Sequence, residues 1–285
     1  MLTGFDYHRP ESERELGELL EQLEGGATLL AGGTDVLVQM RNGRIRPRHV
    51  IDLVEIDTLH TVQSRADGGL EIGATATVSD IVTHPNLEGQ YQAIVEGGRT
   101  VGSVQIQNRA TVVGNICNAS PAADTAPALL VFDALVRVAG PHSRRMVPLR
   151  DFVLGPGQST LEAWEWVESI EIPPAGPNGS CYLKLGRTRG VDLAVVGVGC
   201  RISAARASMS LAAVAPTALS LDILGFQDSL SGELEEDTAQ AIRSLLRPID
   251  DVRGSAAYRA EMAIVLARRA WRLAQRRFVA AAEGS

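Results

Sequence analysis

Six residues packed into one short run have types that suit ligand chemistry: Gly114, Asn115, Asn118, Ser120, Pro121 and Asp124, within Asn108 to Val138. Glycine removes the side chain that would keep a ligand off the backbone. Asparagine amides both donate and accept, and a carboxylate accepts. A long surface turn uses the same residue types, so the run by itself leaves both readings open. A second candidate is "LLAGGTDV", Leu29 to Val36, where a short apolar run gives way to Gly32, Gly33 and Thr34. A glycine turn between strand and helix presents free backbone N–H groups, which suits a phosphate, although an ordinary turn has the same composition. It lacks the G-x-G-x-x-G of a dinucleotide fingerprint, as does "GVGCRIS" from Gly197, and no Walker A lysine is present. For Lys184 in "YLKLGRTRGVDLAVVGVG", an exposed strand lysine is the ordinary alternative to a ligand contact.

Composition removes several function classes. A formal net charge of -7 opposes a nucleic-acid partner, which needs a basic face. No run approaches the ~20 apolar residues of a membrane span, and the N-terminus lacks a signal-peptide core, so a cytoplasmic location is expected. Cys117, Cys181 and Cys200 are odd in number and too widely spaced for a zinc or iron–sulfur ligand set, so no metal site is expected in this chain. The five histidines are scattered and read as solvent-facing, and no catalytic acid, base or nucleophile is assigned.

These residues must be held by elements that the pattern also marks. "SERELGELLEQLEGG" places leucines at 16, 19, 20 and 23 on one helix face, with Ser12 and Glu15 as a capping box and Gly25, Gly26 at the end. A strand at Thr28 to Ala31 then leads through the glycine turn to a helix capped by Thr34 or Asp35 and closed near Gly43. "HVIDL" and "LEIGATATVSDIV" predict strands, the second running into a helix capped at Thr77 or Ser79, and another helix starts at Tyr91. "ALVRVAG" and "RRMVPLRDF" pair around Gly140-Pro141, and "WVESIEIP" follows. The prolines and glycines of "PPAGPNGS" predict a linker, dividing the chain into residues 1–175 and 176–285. Beyond it, "CYLKL", "LAVVGVGCRIS", "MSLAAVAP" and "LSLDILG" predict strands, and two helices close the chain, near Glu233 to Leu246 and from Ser255. The arginines of the last helix, Arg259, Arg268, Arg269, Arg272, Arg276 and Arg277, predict a solvated face, with a subunit contact as the alternative.

The order of these runs resembles the flavin-binding subunit of the molybdenum hydroxylases, the xanthine dehydrogenase and carbon monoxide dehydrogenase family. "LLAGGTDVLVQMR", "VGSVQIQNRATVVGNICNASPAAD" and "YLKLGRTRGVDLAVVGVG", with "DFVLGPG" and "IEIP", carry the likeness nearly end to end. Within the family the chain looks most like the separate flavin chain of bacterial xanthine dehydrogenase. The resemblance implies an α+β fold: a PCMH-type, vanillyl-alcohol-oxidase-like domain whose two lobes hold an extended FAD, then a smaller α+β C-terminal domain of the CO dehydrogenase flavoprotein type. It places the FAD pyrophosphate on Leu29, Leu30, Ala31, Gly32, Gly33, Thr34, Asp35 and Val36. Further implied contacts are Val101, Thr111, Gly114, Asn115, Asn118, Asp124, the backbone near Glu168, and Lys184 near the flavin ring. One departure stands out: many relatives have two glycines before the asparagine, whereas this chain has Val113-Gly114-Asn115, and a valine resists positive φ.

Family function, by the same resemblance, is electron transfer. Substrate is oxidised at a molybdopterin cofactor on a large subunit, electrons cross [2Fe–2S] clusters on a small subunit, and FAD here passes them to NAD+ or another acceptor. Partners are then those two subunits, in a hetero-oligomer built as a dimer of heterotrimers, with xanthine or a related purine as the first choice of substrate. A nicotinate-like N-heterocycle or carbon monoxide stands behind it. A 4-hydroxybenzoyl-CoA reductase subunit fits less well, lacking here the clustered cysteines of that type. Other readings are an independent flavin oxidase of the same fold, or a nucleotide-binding assembly protein without a reducible flavin.

Overall fold

The computed structural model describes residues 4–188, 190–223 and 232–283. Strand β1 (Asp6–His8) leads into α1 (Glu13–Gln22), whose Leu16 and Leu20 are buried one turn apart. Ser12 accepts from the Glu15 backbone N–H at 3.3 Å, but the Glu15 carboxylate accepts from the Glu11 N–H, so only half of the expected capping box forms. Next come β2 (Ala27–Leu30), α2 (Val36–Arg41) and β3 (His49–Asp52). β1 and β2 both run parallel to the central β3. The expected strand is displaced by one residue, because Ala31 already belongs to the turn.

A second layer follows from β4 (Val62–Ser64) and β5 (Leu70–Gly73) through a run of short helices. These are α3 (Val78–Val82), α4 (Gln92–Arg99), α5 (Val104–Gln107), α6 (Val112–Cys117) and α7 (Thr125–Leu130). Thr77, one of the two expected caps, is the N-cap of α3, and with Asp80 it completes a full capping box. Strands β6 (Leu135–Ala139) and β7 (Arg144–Pro148) form the expected pair, but "LRDF" is not strand: it makes the turn of helix α8 (Leu149–Phe152). Pro148 ends the strand because it has no N–H to donate to the ladder. The small hairpin β8 (Val153–Gly155) and β9 (Gln158–Ser159) precedes β10 (Trp166–Ile172). β10 sits between β5 and β6 in an antiparallel sheet ordered β4-β5-β10-β6-β7.

The C-terminal part is a four-stranded antiparallel meander, β11 (Asn178–Leu185), β12 (Val196–Ser203), β13 (Ala207–Ala212) and β14 (Leu219–Ile223), followed by α9 (Glu236–Leu245) and α10 (Ala256–Glu283). The last two residues of the strand expected at "LSLDILG" lie outside the described residues. The break at "PPAGPNGS" is shorter than expected: Asn178 already opens β11, its amide donating to Gln90 O and Gly176 O.

Both faces of this meander are buried, and alternate residues serve each one. Cys181, Val198, Cys200, Met209 and Leu211 form one core with Ala267, Ala270 and Trp271 of α10. Tyr182, Gly199 and Ser208 face helices of the first part, where Ser208 donates to Val131 O at 3.1 Å. The arginine run on α10 corrects the reading of a wholly solvated face. Arg259 is 1% exposed, donating to Val195 O, Ala213 O and Asp251. Arg277 bridges Ser180 O and Glu96, tying α10 and β11 to α4. Nor are all histidines turned to water, since His8 and His49 are half-buried against one another, 3.4 Å apart.

Candidate functional site

The turn between β2 and α2 packs edge-on against the segment that precedes α6. An added Cβ at Gly32 would lie 1.9 Å from the Arg109 carbonyl oxygen, so only glycine allows this approach. Gly33 adopts φ +76°, the left-handed region that disfavours side chains. Beyond it, α2 is capped by Asp35 without any side-chain hydrogen bond. Leu37 N–H already donates to Gly33 O. Among the described residues, no hydrogen bond satisfies the backbone N–H groups of Gly32, Gly33, Thr34, Asp35 and Val36. Five successive donors without acceptors form a cradle that favours an anion.

The second run supplies the neighbouring wall. Ala110 O accepts from Val78 N–H at 2.8 Å, and Thr111 bridges to Thr77, anchoring the start of α6 on the turn after β5. Thr111 is itself buried and spends its hydroxyl as the N-cap of α6, accepting from Gly114 N–H at 3.0 Å. Val113 is inside α6, outside the positive-φ residues, so its replacement of a common family glycine strains nothing. Asn115 accepts from the Thr125 hydroxyl at 2.6 Å, and Asn118 accepts from the Gln39 amide at 3.3 Å. With these acceptors engaged, both asparagine NH2 groups remain as donors. The Gln39–Asn118 contact also joins α2 to α6, bringing the two sequence motifs to one groove.

Lys184 is not the exposed strand lysine that its sequence position also allows. Its side chain is 11% exposed, and its ammonium donates to Asp124 Oδ2 at 2.7 Å, Asp192 O at 2.7 Å and Thr100 O at 3.1 Å. Asp124, one turn of chain past α6, accepts on its other oxygen from Tyr182 Oη at 2.7 Å. Burial pushes the Asp124 carboxyl up from its ordinary value, opposed by the Lys184 charge and by hydrogen bonds from Lys184 and Tyr182. Burial and the facing carboxylate raise the Tyr182 phenol well above its ordinary value, so it is a donor at any physiological pH. Asp192 holds the far side of this cluster. Hydrogen bonds from Arg187 lower its carboxyl to about 2, which fixes the loop whose carbonyl receives Lys184.

The remaining predicted residues stand at the rim. Val101 follows Thr100, and its carbonyl accepts from the Gln107 amide at 3.0 Å. Glu168 is at a bulge in β10; its carbonyl accepts from Ala74 N–H, next to the turn that bridges Thr111, while its carboxylate pairs with Arg144 outside the groove. Leu29 and Leu30 pack into cores and contribute through the backbone they lead into. Sequence reasoning missed Tyr182, Gln39 and Thr100, which act through partners far along the chain, and Asp192, whose carbonyl receives Lys184 only eight residues away. Of two surface depressions, one beside α6 shares only Asn115 with the expected set and the other, at Trp164, shares none. Apart from Asn115, the expected residues lie outside both depressions, along the joins between α2 and α6 and between Asp124 and β11.

Residues 3–175 match the family described as FAD binding domain in molybdopterin dehydrogenase, and residues 181–274 match the CO dehydrogenase flavoprotein C-terminal domain. The chain is 32% identical over 206 residues to the xanthine dehydrogenase FAD-binding subunit of Escherichia coli O157:H7, covering 71% of this chain and 70% of that one. It is likewise 32% identical over 279 residues to the carbon monoxide dehydrogenase medium chain of Hydrogenophaga pseudoflava, covering 93% and 95%. A solved structure of CO dehydrogenase from Oligotropha carboxidovorans superposes with a TM-score of 0.88 at 29% identity, over 97% of this chain and 99% of that one.

Proposed function

The chain belongs to the family of FAD-binding medium subunits of the molybdenum hydroxylases, and from that premise we propose that its open groove holds an extended FAD through which a partner's electrons reach a soluble acceptor. The observation that carries this reading is the row of unsatisfied N–H donors from Gly32 to Val36, beside the free amide NH2 groups of Asn115 and Asn118. A dinucleotide offers the matching groups: two phosphates for the backbone cradle, hydroxyls for Asp124, and ring carbonyl and nitrogen acceptors for donors. Bound FAD supplies the exchange between one-electron and two-electron chemistry.

The residues of the chain do the rest. Gly32 and Gly33 bring the N–H row within reach of the pyrophosphate at low steric cost. Asp124 and Lys184 set opposite charges side by side at the other end of the groove, so that a ligand's polar groups meet a preorganised, nearly neutral pair. Val101 and the Glu168 backbone bound the ring end. Electrons enter from [2Fe–2S] clusters of a small subunit, fed by a molybdopterin-bearing large subunit, in a dimer of heterotrimers. NAD+ is our choice of acceptor and a purine such as xanthine our choice of substrate. The matched relatives act on both xanthine and carbon monoxide by name, and the substrate site belongs to the large subunit. The division at residue 175 corresponds, on this reading, to an FAD-binding domain followed by a C-terminal domain that supplies Lys184.

Purification of this chain alone and with the two partners tests the proposal. Alone, it should carry stoichiometric yellow flavin and oxidise no purine. With both partners, added xanthine should bleach the flavin and reduce NAD+, and stripping FAD should abolish NAD+ reduction. Purine oxidation by the isolated chain would contradict the electron-transfer role. Bleaching by another substrate, with xanthine inert, would retain that role and reassign the complex.

A further inference from the structure

The glycines of "VGVG" in β12 do no phosphate chemistry; they make room. An added Cβ at Gly199 would stand 2.6 Å from Pro127 O of α7, and one at Gly197 would stand 2.3 Å from the Tyr182 hydroxyl. Tyr182 lies opposite Gly199 in the β11–β12 register, and Lys184 opposite Gly197. Its ring therefore runs across the bare backbone of β12 to reach Asp124 at the N-cap of α7. The Tyr182 backbone is pinned as well, its N–H donating to Glu96 Oε2 at 2.8 Å. A phenol that is 3% exposed, with one hydrogen-bond acceptor and a glycine cut out to admit it, is placed rather than merely packed.

We propose that Tyr182 is a positioning residue of the cofactor groove: its hydroxyl, admitted by Gly197, fixes the orientation of the Asp124 carboxylate that receives FAD. The inference rests on the FAD reading above. Without the hydroxyl, Lys184 alone would hold Asp124 on one oxygen, and the other would be free to rotate or to lie unpaired in a buried site. Loss of that donor also removes one of the influences that keep Asp124 ionised. Other charged groups on the surrounding elements have partners other than Asp124. Glu96 of α4 binds Arg277, the Asp192 carboxylate binds Arg187, Arg201 of β12 lies over Phe132, and the Cys117 thiol of α6 is pushed up to about 12 by burial. Burial, opposed by Lys184 and Tyr182, thus sets the titration of Asp124.

FAD titrations of the full apo-chain between pH 5 and 9, with melting curves, test this for wild type, Tyr182→Phe, Gly197→Ala, Asp124→Asn and Tyr182→Phe/Asp124→Asn. Tyr182→Phe should weaken FAD binding about tenfold at neutral pH and move the acid limb of the affinity profile to higher pH. In the Asp124→Asn background it should add little. Gly197→Ala should reproduce the Phe effect; if that variant does not fold, Tyr182→Phe decides. Wild-type affinity with an unmoved pH profile in Tyr182→Phe, whatever its melting temperature, would overturn the positioning role while leaving the FAD reading intact. Failure of the wild type to bind FAD would overturn both.

Discussion

Replacing Gly32 by alanine asks whether the close approach between the two motifs builds the groove. The added Cβ would stand 1.9 Å from Arg109 O, 2.8 Å from Arg109 C and 3.0 Å from Ala110 Cα. All three are backbone atoms, so no side chain can rotate away. Relief requires the turn and the segment before α6 to separate by about 1 Å, since carbon and oxygen do not tolerate approaches much below van der Waals contact. Overpacking of this kind costs about 1–3 kcal/mol, or a fall in melting temperature of about 2–10 °C for a chain of this size. The same shift misaligns the N–H row, and each charge-assisted hydrogen bond lost weakens FAD by about 1.5–3 kcal/mol, roughly ten- to a hundredfold. Gly89→Ala is the control: it has positive φ, +83°, with nothing within 4 Å of an added Cβ, so it should lose stability through backbone strain and leave FAD affinity alone. Differential scanning fluorimetry and flavin fluorescence titration read both quantities. Unchanged affinity in Gly32→Ala, with melting lowered as in the control, would refute the cradle and leave Gly32 a packing glycine only.

Lys184→Met should destabilise the apo-protein by about 3–5 kcal/mol, because it strands the Asp124 carboxylate without its cation in a site where both side chains are about nine-tenths buried; adding Asp124→Asn should restore part of that loss, and chemical denaturation measures both. Cys117 retains partial exposure on α6 whereas Cys181 and Cys200 are fully buried, so native apo-protein should be alkylated at Cys117 alone, slowly given its raised pKa; equal labelling of all three by peptide mass would contradict this difference in burial. Because the folded-state pKa of Asp124 is raised, its contribution to stability is present below the unfolded carboxylate value and is lost as pH rises through the folded value. FAD affinity should run the opposite way over that window, falling on acidification as the acceptor is protonated, and Asp124→Asn should flatten both trends in melting and titration series.

What the sequence made legible follows from locality. The helix cap at Thr77 and the leucine stripe of α1 are decided within a few residues, and both formed. Gly33 was legible as a turn glycine for the same reason. Gly32 was assigned to phosphate approach, yet the atom it makes room for belongs to Arg109, 77 positions on in the chain (109 less 32). Lys184 illustrates the same limit: its register on β11 is local, but its burial depends on Asp124, Thr100 and the Asp192 loop. Residue type alone marked Asp124, whereas Lys184 came from the resemblance. Tyr182 escaped both, because nothing in "CYLKL" signals that a strand tyrosine crosses a glycine pair to reach a helix cap. Arg259 was misread since six arginines on one helix suggest solvent, and only the returning carbonyls of Val195 and Ala213 make a buried guanidinium affordable.

Amide hydrogen exchange of the apo-chain with and without FAD, resolved by peptide mass, tests the central claim most directly, because it watches the donors themselves. The account predicts strong FAD-dependent protection in peptides spanning Gly32 to Val36, with weaker protection through Gly114 to Asn118 and around Lys184, and none on the outer face of α10. Protection confined to other segments, with the Gly32 to Val36 amides exchanging as fast as in the apo-chain, would contradict the assignment of this groove to the cofactor.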